Sequence, residues 1–331
     1  MKYIFLLILF VFLASPIFSQ QRIQERIGVS IPLSGDLAFY GSAVQNGFQL
    51  AKNDHQELFK DKTFIFEDNK YNSVQSISSV KKLIEIDNVQ SLYLWGEVPL
   101  LSTATYLKNS SVNVFSMSLA PKPAKNSKNI VISINPPTSW QEKMAERIKE
   151  KNWKNIVIVE NEDPFIQSMS EAIIELLVDN NIKITRIAIP IDTLELRSFA
   201  LKVKTLNAGA IGLYLLPGQV GTFAKLLRST GVSANFFAVD TIDSATEIKL
   251  SGGALKNVEF PRLVIPRWFQ DKFLLISNGD KSGMVYGWNA YTTAMVIGGG
   301  EKVVEAYFTK LNIESINFFV FKTELAKYEG Y

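Results

Sequence analysis

The feature that most constrains this chain is a rhythm. Short apolar runs rich in β-branched residues alternate with stretches of helical period, and the alternation runs twice. In the first series residues 26–31, 63–67, 89–95 and 112–117 read as strands. Between them Tyr40, Val44, Gly47, Phe48 and Ala51 fall on one helical face, and Asn72 or Ser73 can cap a helix that turns Ile77, Val80, Leu83 and Ile84 inward. In the second series residues 155–160, 183–189, 210–216 and 235–239 read as strands. Helical stretches at 166–178, 194–206 and 220–229 separate them, the last stopped by Gly231. This spacing implies parallel sheets with helices on both faces, and two series imply two Rossmann-like lobes of an α/β protein, joined by crossover strands.

Paired prolines in Asn135-Pro136-Pro137-Thr138 mark the first passage between lobes, and Gly252-Gly253 with residues 261–266 mark a second change of direction. Residues 20–135 with about 262–315 form lobe one; residues 136–261 with about 316–331 form lobe two, 316–321 returning as a last strand. A late helix between Gly283 and Gly300 carries Tyr286, Trp288, Tyr291 and Met295; Trp288 and Tyr291 read as packing residues. Ligands of open α/β sheets sit at the carboxyl ends of the strands, and two such lobes make a cleft that can close on a small molecule.

The N-terminus has the layout of a secretory signal peptide over 1–19. Lys2 precedes an apolar run at 3–13, and a breaker with a cleavage site after Ser19 follows. The run falls short of the roughly 20 residues that span a bilayer. A periplasmic or otherwise exported, soluble mature protein is expected, with an uncleaved anchor as the competing reading.

Composition removes much chemistry. The chain of 331 residues has no cysteine, so thiol catalysis, zinc thiolates, disulfides and a lipoprotein anchor are all excluded. Its single histidine, His55, lies in a polar stretch and reads as a surface residue. A net charge of +3, with 20% charged residues, favours neither disorder nor a nucleic-acid grip. The densest basic stretch, 143–154, is broken by Glu146 and Glu150, as on a solvated helix face. There is no nucleophile elbow or phosphate loop, and Glu160 and Glu162 read as lying in polar turns. No enzyme activity, cofactor or metal is expected.

The opening Ile27-Gly28-Val29-Ser30-Ile31-Pro32-Leu33-Ser34-Gly35, then Tyr40-Gly41 and Asn46-Gly47-Phe48-Gln49-Leu50-Ala51, resembles the type I periplasmic binding proteins. Within them it is most similar to the leucine/isoleucine/valine receptors of ABC importers. Asp68-Asn69, residues 112–116, helix 220–231 with residues 236–240, and residues 286–291 carry the resemblance on, in order, over nearly all of 26–300.

The resemblance implies a monomeric capture protein that closes on an amino acid or related solute and docks on a membrane permease; the alternative is a sensor on the same fold. Position by position, Tyr40 matches a cleft tyrosine, Ser118 and Ala120 a ligand-contacting loop, and Asp240 the acid that holds an ammonium group. From the residues themselves Tyr40 and Trp95 can equally pack, Asp240 can cap a helix, and Glu97 is either a ligand contact or a surface acid.

The chain also departs from the family. The segment 96–103 is shorter than the family's serine-bearing loop, so the expected serine falls near Leu100, with Ser102 or Thr103 as the nearest hydroxyls. Ala120 replaces a threonine, Phe165 a tyrosine, and Leu216 stands where another tyrosine occurs. The ligand set expected is therefore Tyr40, Trp95, Ser102, Ser118, Ala120, Phe165 and Asp240.

Overall fold

The computed structural model describes residues 24–299 and a strand at 323–327, with short breaks at 121, 126, 135–136, 179–180, 192 and 194. The segment 1–19 expected to be a signal peptide, the Asn135-Pro136 step and the return expected at 316–321 lie outside the described residues.

Strands β1 (Glu25–Ile31), β2 (Lys62–Asp68), β3 (Ser91–Trp95), β4 (Asn113–Met117) and β5 (Ile130–Ile132) form one parallel sheet in the order β2-β1-β3-β4-β5. Strands β6 (Asn155–Asn161), β7 (Lys183–Ile189), β8 (Ala210–Tyr214), β9 (Asn235–Ala238), β10 (Glu259–Leu263) and β11 (Thr323–Lys327) form the other, in the order β11-β10-β9-β8-β6-β7. Its pairs are parallel except β10 with the edge strand β11, which is antiparallel. Every residue of β3 and β8 is buried, as expected of central parallel strands covered on both faces.

Side chains of β6 alternate between two cores. Ile156 and Ile158 join the larger core, which runs through the first sheet's layer, while Val157 and Val159 face a smaller one behind the second sheet. The chain leaves the first sheet after β5, and helix Pro137–Glu150 packs on β10 and on helix Pro164–Leu177. After β10 the late helix Met284–Gly298 lies against the first helix, Ala38–Asp54. Their approach needs Gly47, where a side chain would run into the Gly287 carbonyl.

Three local expectations are corrected. Ile77 is 39% exposed; the buried face of helix Ser73–Lys81 is Ser76, Ser79 and Val80, with the Ser79 hydroxyl 2.9 Å from that of Ser30. Satisfied small hydroxyls let the helix lie close to β1, and a wide π turn over Lys82–Ile86 resets the register so that Leu83 is again buried. Glu160 belongs to β6 and accepts from Arg186 Nε at 2.7 Å, so it does not lie in a turn. The segment after β3 is a helix, Glu97–Lys108, which begins directly after Gly96. Its Pro99 sits in the first turn, where the missing N–H costs nothing.

Candidate functional site

The carboxyl ends of both sheets converge on one cavity between them. Leu37 and Tyr40 reach it from the start of the first helix, Trp95, Gly96 and Glu97 from the end of β3, and Met117 from the end of β4. The second sheet supplies Asp163 and Phe165 after β6, Leu216 and Pro217 after β8, and Thr241 after β9. Tyr71 and Tyr286 complete the wall. The space open to the centre of a water molecule is about 30 Å³, little more than one or two waters fill. Solute entry therefore requires the lobes or the rings to move.

Aromatic rings make the box. Tyr40 stacks on Trp95 with centroids 5.2 Å apart; Tyr71 lies 5.5 Å from the same indole, and Tyr286 meets it edge-on at 5.6 Å. Tyr40 and Tyr286 meet edge-to-face at 4.7 Å. Gly96 holds φ +101°, and a side chain there would collide with the Tyr71 ring. The end of β3 thus has to be glycine for that ring to reach the box.

Carboxylates interrupt the rings. Glu97 is 2% exposed; it accepts the Leu119 N–H at 2.6 Å and the Tyr71 hydroxyl at 3.4 Å. Burial, with Asp163 nearby, pushes its carboxyl up to about 8, against the pull of those donors. Glu97 is therefore no surface acid. Asp163 caps helix Pro164–Leu177 through Phe165 N and Ile166 N, and its other oxygen takes the same Tyr71 hydroxyl at 3.4 Å. Burial raises it too.

Asp240 opens a single 3-10 turn, Asp240–Ile242, while Ser244 caps the following helix by accepting from Glu247 N. One Asp240 oxygen accepts from the Tyr286 hydroxyl at 3.3 Å; the other, Oδ1, is buried without a partner. Burial lifts this carboxyl to about 7, with Asp243 adding to the effect. The indole N–H of Trp95 is likewise buried and unpartnered. Asp240 lines an adjoining cavity of about 290 Å³ that shares Tyr40, Thr241 and Tyr286 with the first.

Of the expected ligand set, Tyr40, Trp95 and Phe165 line the central cavity and Asp240 the adjoining one. Ser102 does not reach either. It lies in the helix after β3, donates to Val98 O and Pro99 O, and faces an outer hollow with Tyr106 and Lys81. The expected loop is a helix, which rotates this hydroxyl away. Ser118 is fully buried and its hydroxyl accepts from Ala120 N; neither residue lines the cavity. Trp288 and Tyr291 pack with Phe269 and Trp268, away from it. His55 is exposed, 3.0 Å from the Tyr291 hydroxyl.

Sequence reasoning missed Tyr71, Asp163, Thr241 and Tyr286 as wall residues. Asp163-Pro164 carried a signal, since an acid before proline starts a helix just where β6 ends. Tyr71 carried none, because it sits in a left-handed turn at φ 50°.

Residues 24–272 match the family model described as periplasmic binding protein, and the chain belongs to that family. Similar solved structures include a leucine-binding protein, LivK, from Thermotoga maritima (16% identity, TM-score 0.75, 87% of each chain covered). A solute-binding protein of an ABC transporter from R. palustris, in complex with 4-hydroxybenzoate, is 17% identical with a TM-score of 0.79 and 92% of each chain covered. The branched-chain amino acid binding protein LivJ from Streptococcus pneumoniae, in complex with isoleucine, is 15% identical with a TM-score of 0.77, covering 92% of this chain and 99% of that one. These likenesses show the type I periplasmic binding fold. A search of curated proteins finds no match. Among the described residues no helix is long and apolar enough to cross a membrane, and no acidic or histidine cluster could hold a metal ion.

Proposed function

We propose that the protein is an exported receptor that captures a small solute between two closing lobes, without turning it over, for delivery to an ABC importer. The observation that carries this reading is the meeting of strand ends from both sheets around one ring-lined cavity. The lobes are taken as residues 20–135 with about 262–315 and residues 136–261 with about 316–331. A ligand that contacts Trp95 and Tyr40 from one lobe and Phe165 from the other gains both surfaces only when they close, so it shifts an open–closed equilibrium.

A thermal-shift screen of the mature chain against amino acids, amides, aromatic acids and amines tests the capture step. A solute present at a hundred times its dissociation constant stabilises the fold by about 2.7 kcal/mol. Absence of any shift over the whole screen contradicts capture. Delivery is tested by uptake of the bound solute, which is expected to fall when the protein is removed from its cell.

A further inference from the structure

We propose that the cleft takes a small organic cation, an amine or alkylammonium with a compact apolar body and an oxygen acceptor at one end. This rests on the solute-binding reading above and names the ligand class of that same site. The wall of the central cavity carries Glu97 and Asp163 but no lysine, arginine or histidine. Asp240 stands at its border, bonded to the wall residue Tyr286. A carboxylate placed there would find no cation in the wall to offset its charge in a poorly hydrated space. Two hydroxyls expected to serve a carboxylate are turned elsewhere, Ser102 to its own helix and Ser118 to Ala120 N.

A cation finds the opposite. Tyr40, Tyr71, Trp95 and Tyr286 all line the space, and cations are attracted to aromatic rings. Asp240 Oδ1, on a residue of the adjoining cavity behind the shared wall of Tyr40, Thr241 and Tyr286, lacks a donor, which an ammonium N–H or a polarised N–CH group reaching across that wall supplies. Trp95 Nε1, on a side chain 6% exposed, lacks an acceptor, which a ligand hydroxyl or carbonyl oxygen supplies. Arg262 and Lys281 line the adjoining cavity, which Asp240 also lines, and are absent from the central wall that carries Glu97 and Asp163.

The surroundings also make binding depend on pH. Glu97 is faced by Tyr71 from the turn after β2, Asp163 from the cap of the helix after β6, Tyr286 from the late helix and the Leu119 amide. Asp240 is faced by Tyr286, Tyr40 and Asp243. No basic group shares the Glu97 cavity, whereas Asp240 shares its own with Arg262 and Lys281, so it is Glu97 above all that keeps its proton near neutrality without a bound cation. A bound cation favours the ionised forms, releasing protons and binding more tightly as pH rises.

The test is calorimetric titration of the mature chain with choline, 3-methylbutylamine and tyramine, against leucine, isoleucine and 4-hydroxybenzoate. The expected result is at least one cation bound about tenfold more tightly than any carboxylate. Its affinity should rise between pH 6 and 8.5 and fall about tenfold in Glu97→Gln or Asp240→Asn. Choline keeps its charge throughout that range, so its profile reports the protein alone. Binding of a carboxylate probe with the cations silent, or a flat choline profile, overturns the cation assignment and leaves solute capture standing. Silence of all six probes at millimolar concentration overturns the cation assignment; whether capture falls with it is read from the wider thermal-shift screen.

Discussion

The two lobes place an acid at the same point of their architecture and use it differently. Asp163 stands immediately before the helix that follows β6, so its Oδ1 is committed to the amides of Phe165 and Ile166. Glu97 is the first residue inside the helix that follows β3, one position too late to cap it. It reaches sideways instead, to the Leu119 amide beyond β4. The Tyr71 hydroxyl touches both acids and so ties the lobes together. A capping acid is fixed by local geometry; an acid one residue later is held only by tertiary structure, and its charge depends on the burial that packing imposes.

The largest effect that can break this contrast is on pH dependence. Glu97 has a folded value of about 8 against an ordinary 4.5, so between those limits the folded state holds a proton that the unfolded chain has lost. Stability must then fall as pH rises through that window. Glu97→Gln should flatten the fall and be more stable than the parent at pH 9 by about 2–4 kcal/mol, read from urea melts at several pH values. Parallel slopes in parent and variant would show that Glu97 is not the buried acid described.

Next in size, Asp163→Ala should cost about 0.5–2 kcal/mol through the lost cap, whereas Asp163→Asn keeps the acceptor and should stay near the parent. Equal losses in both would mean that the charge, and not the cap, holds that helix. Tyr71→Phe removes the shared donor and should cost about 1 kcal/mol while raising the midpoint of the Glu97 titration further. The smallest effect is expected at Ser102. Since its hydroxyl only bonds back to its own helix, Ser102→Ala should change stability by less than about 0.5 kcal/mol and leave solute affinity unaltered.

The same contrast explains what could be read in the chain. Buried parallel strands are apolar runs, so β1 to β4 and β6 to β9 were legible to within a few residues, and helix Val220–Ser229 to the residue. β5, only Ile130–Ile132, is too short to carry a period. Helix Glu97–Lys108 was hidden by Gly96 and Pro99, which read as a loop although a proline in the first turn is harmless.

In the site, Trp95 was legible because it ends a strand, and strand ends are where such sheets bind; Tyr40 and Phe165 were legible only through the family resemblance. Tyr71 and Tyr286 were not, since a turn and a distant helix bring them in by tertiary packing alone. Ser102 was misplaced for the same reason that the helix was missed.

The central claim is that the two lobes close around a solute, and an inter-lobe distance tests it most directly. The chain has no cysteine, so Asp36→Cys with Thr222→Cys can carry a fluorophore pair without background. Both positions are exposed, and they flank the cavity residues Leu37 and Pro217. Energy transfer between them should shift to a single, narrower distribution on adding a solute that raises the melting temperature, with a midpoint equal to the calorimetric affinity. A solute that binds with full affinity while the distance stays unchanged would contradict closure.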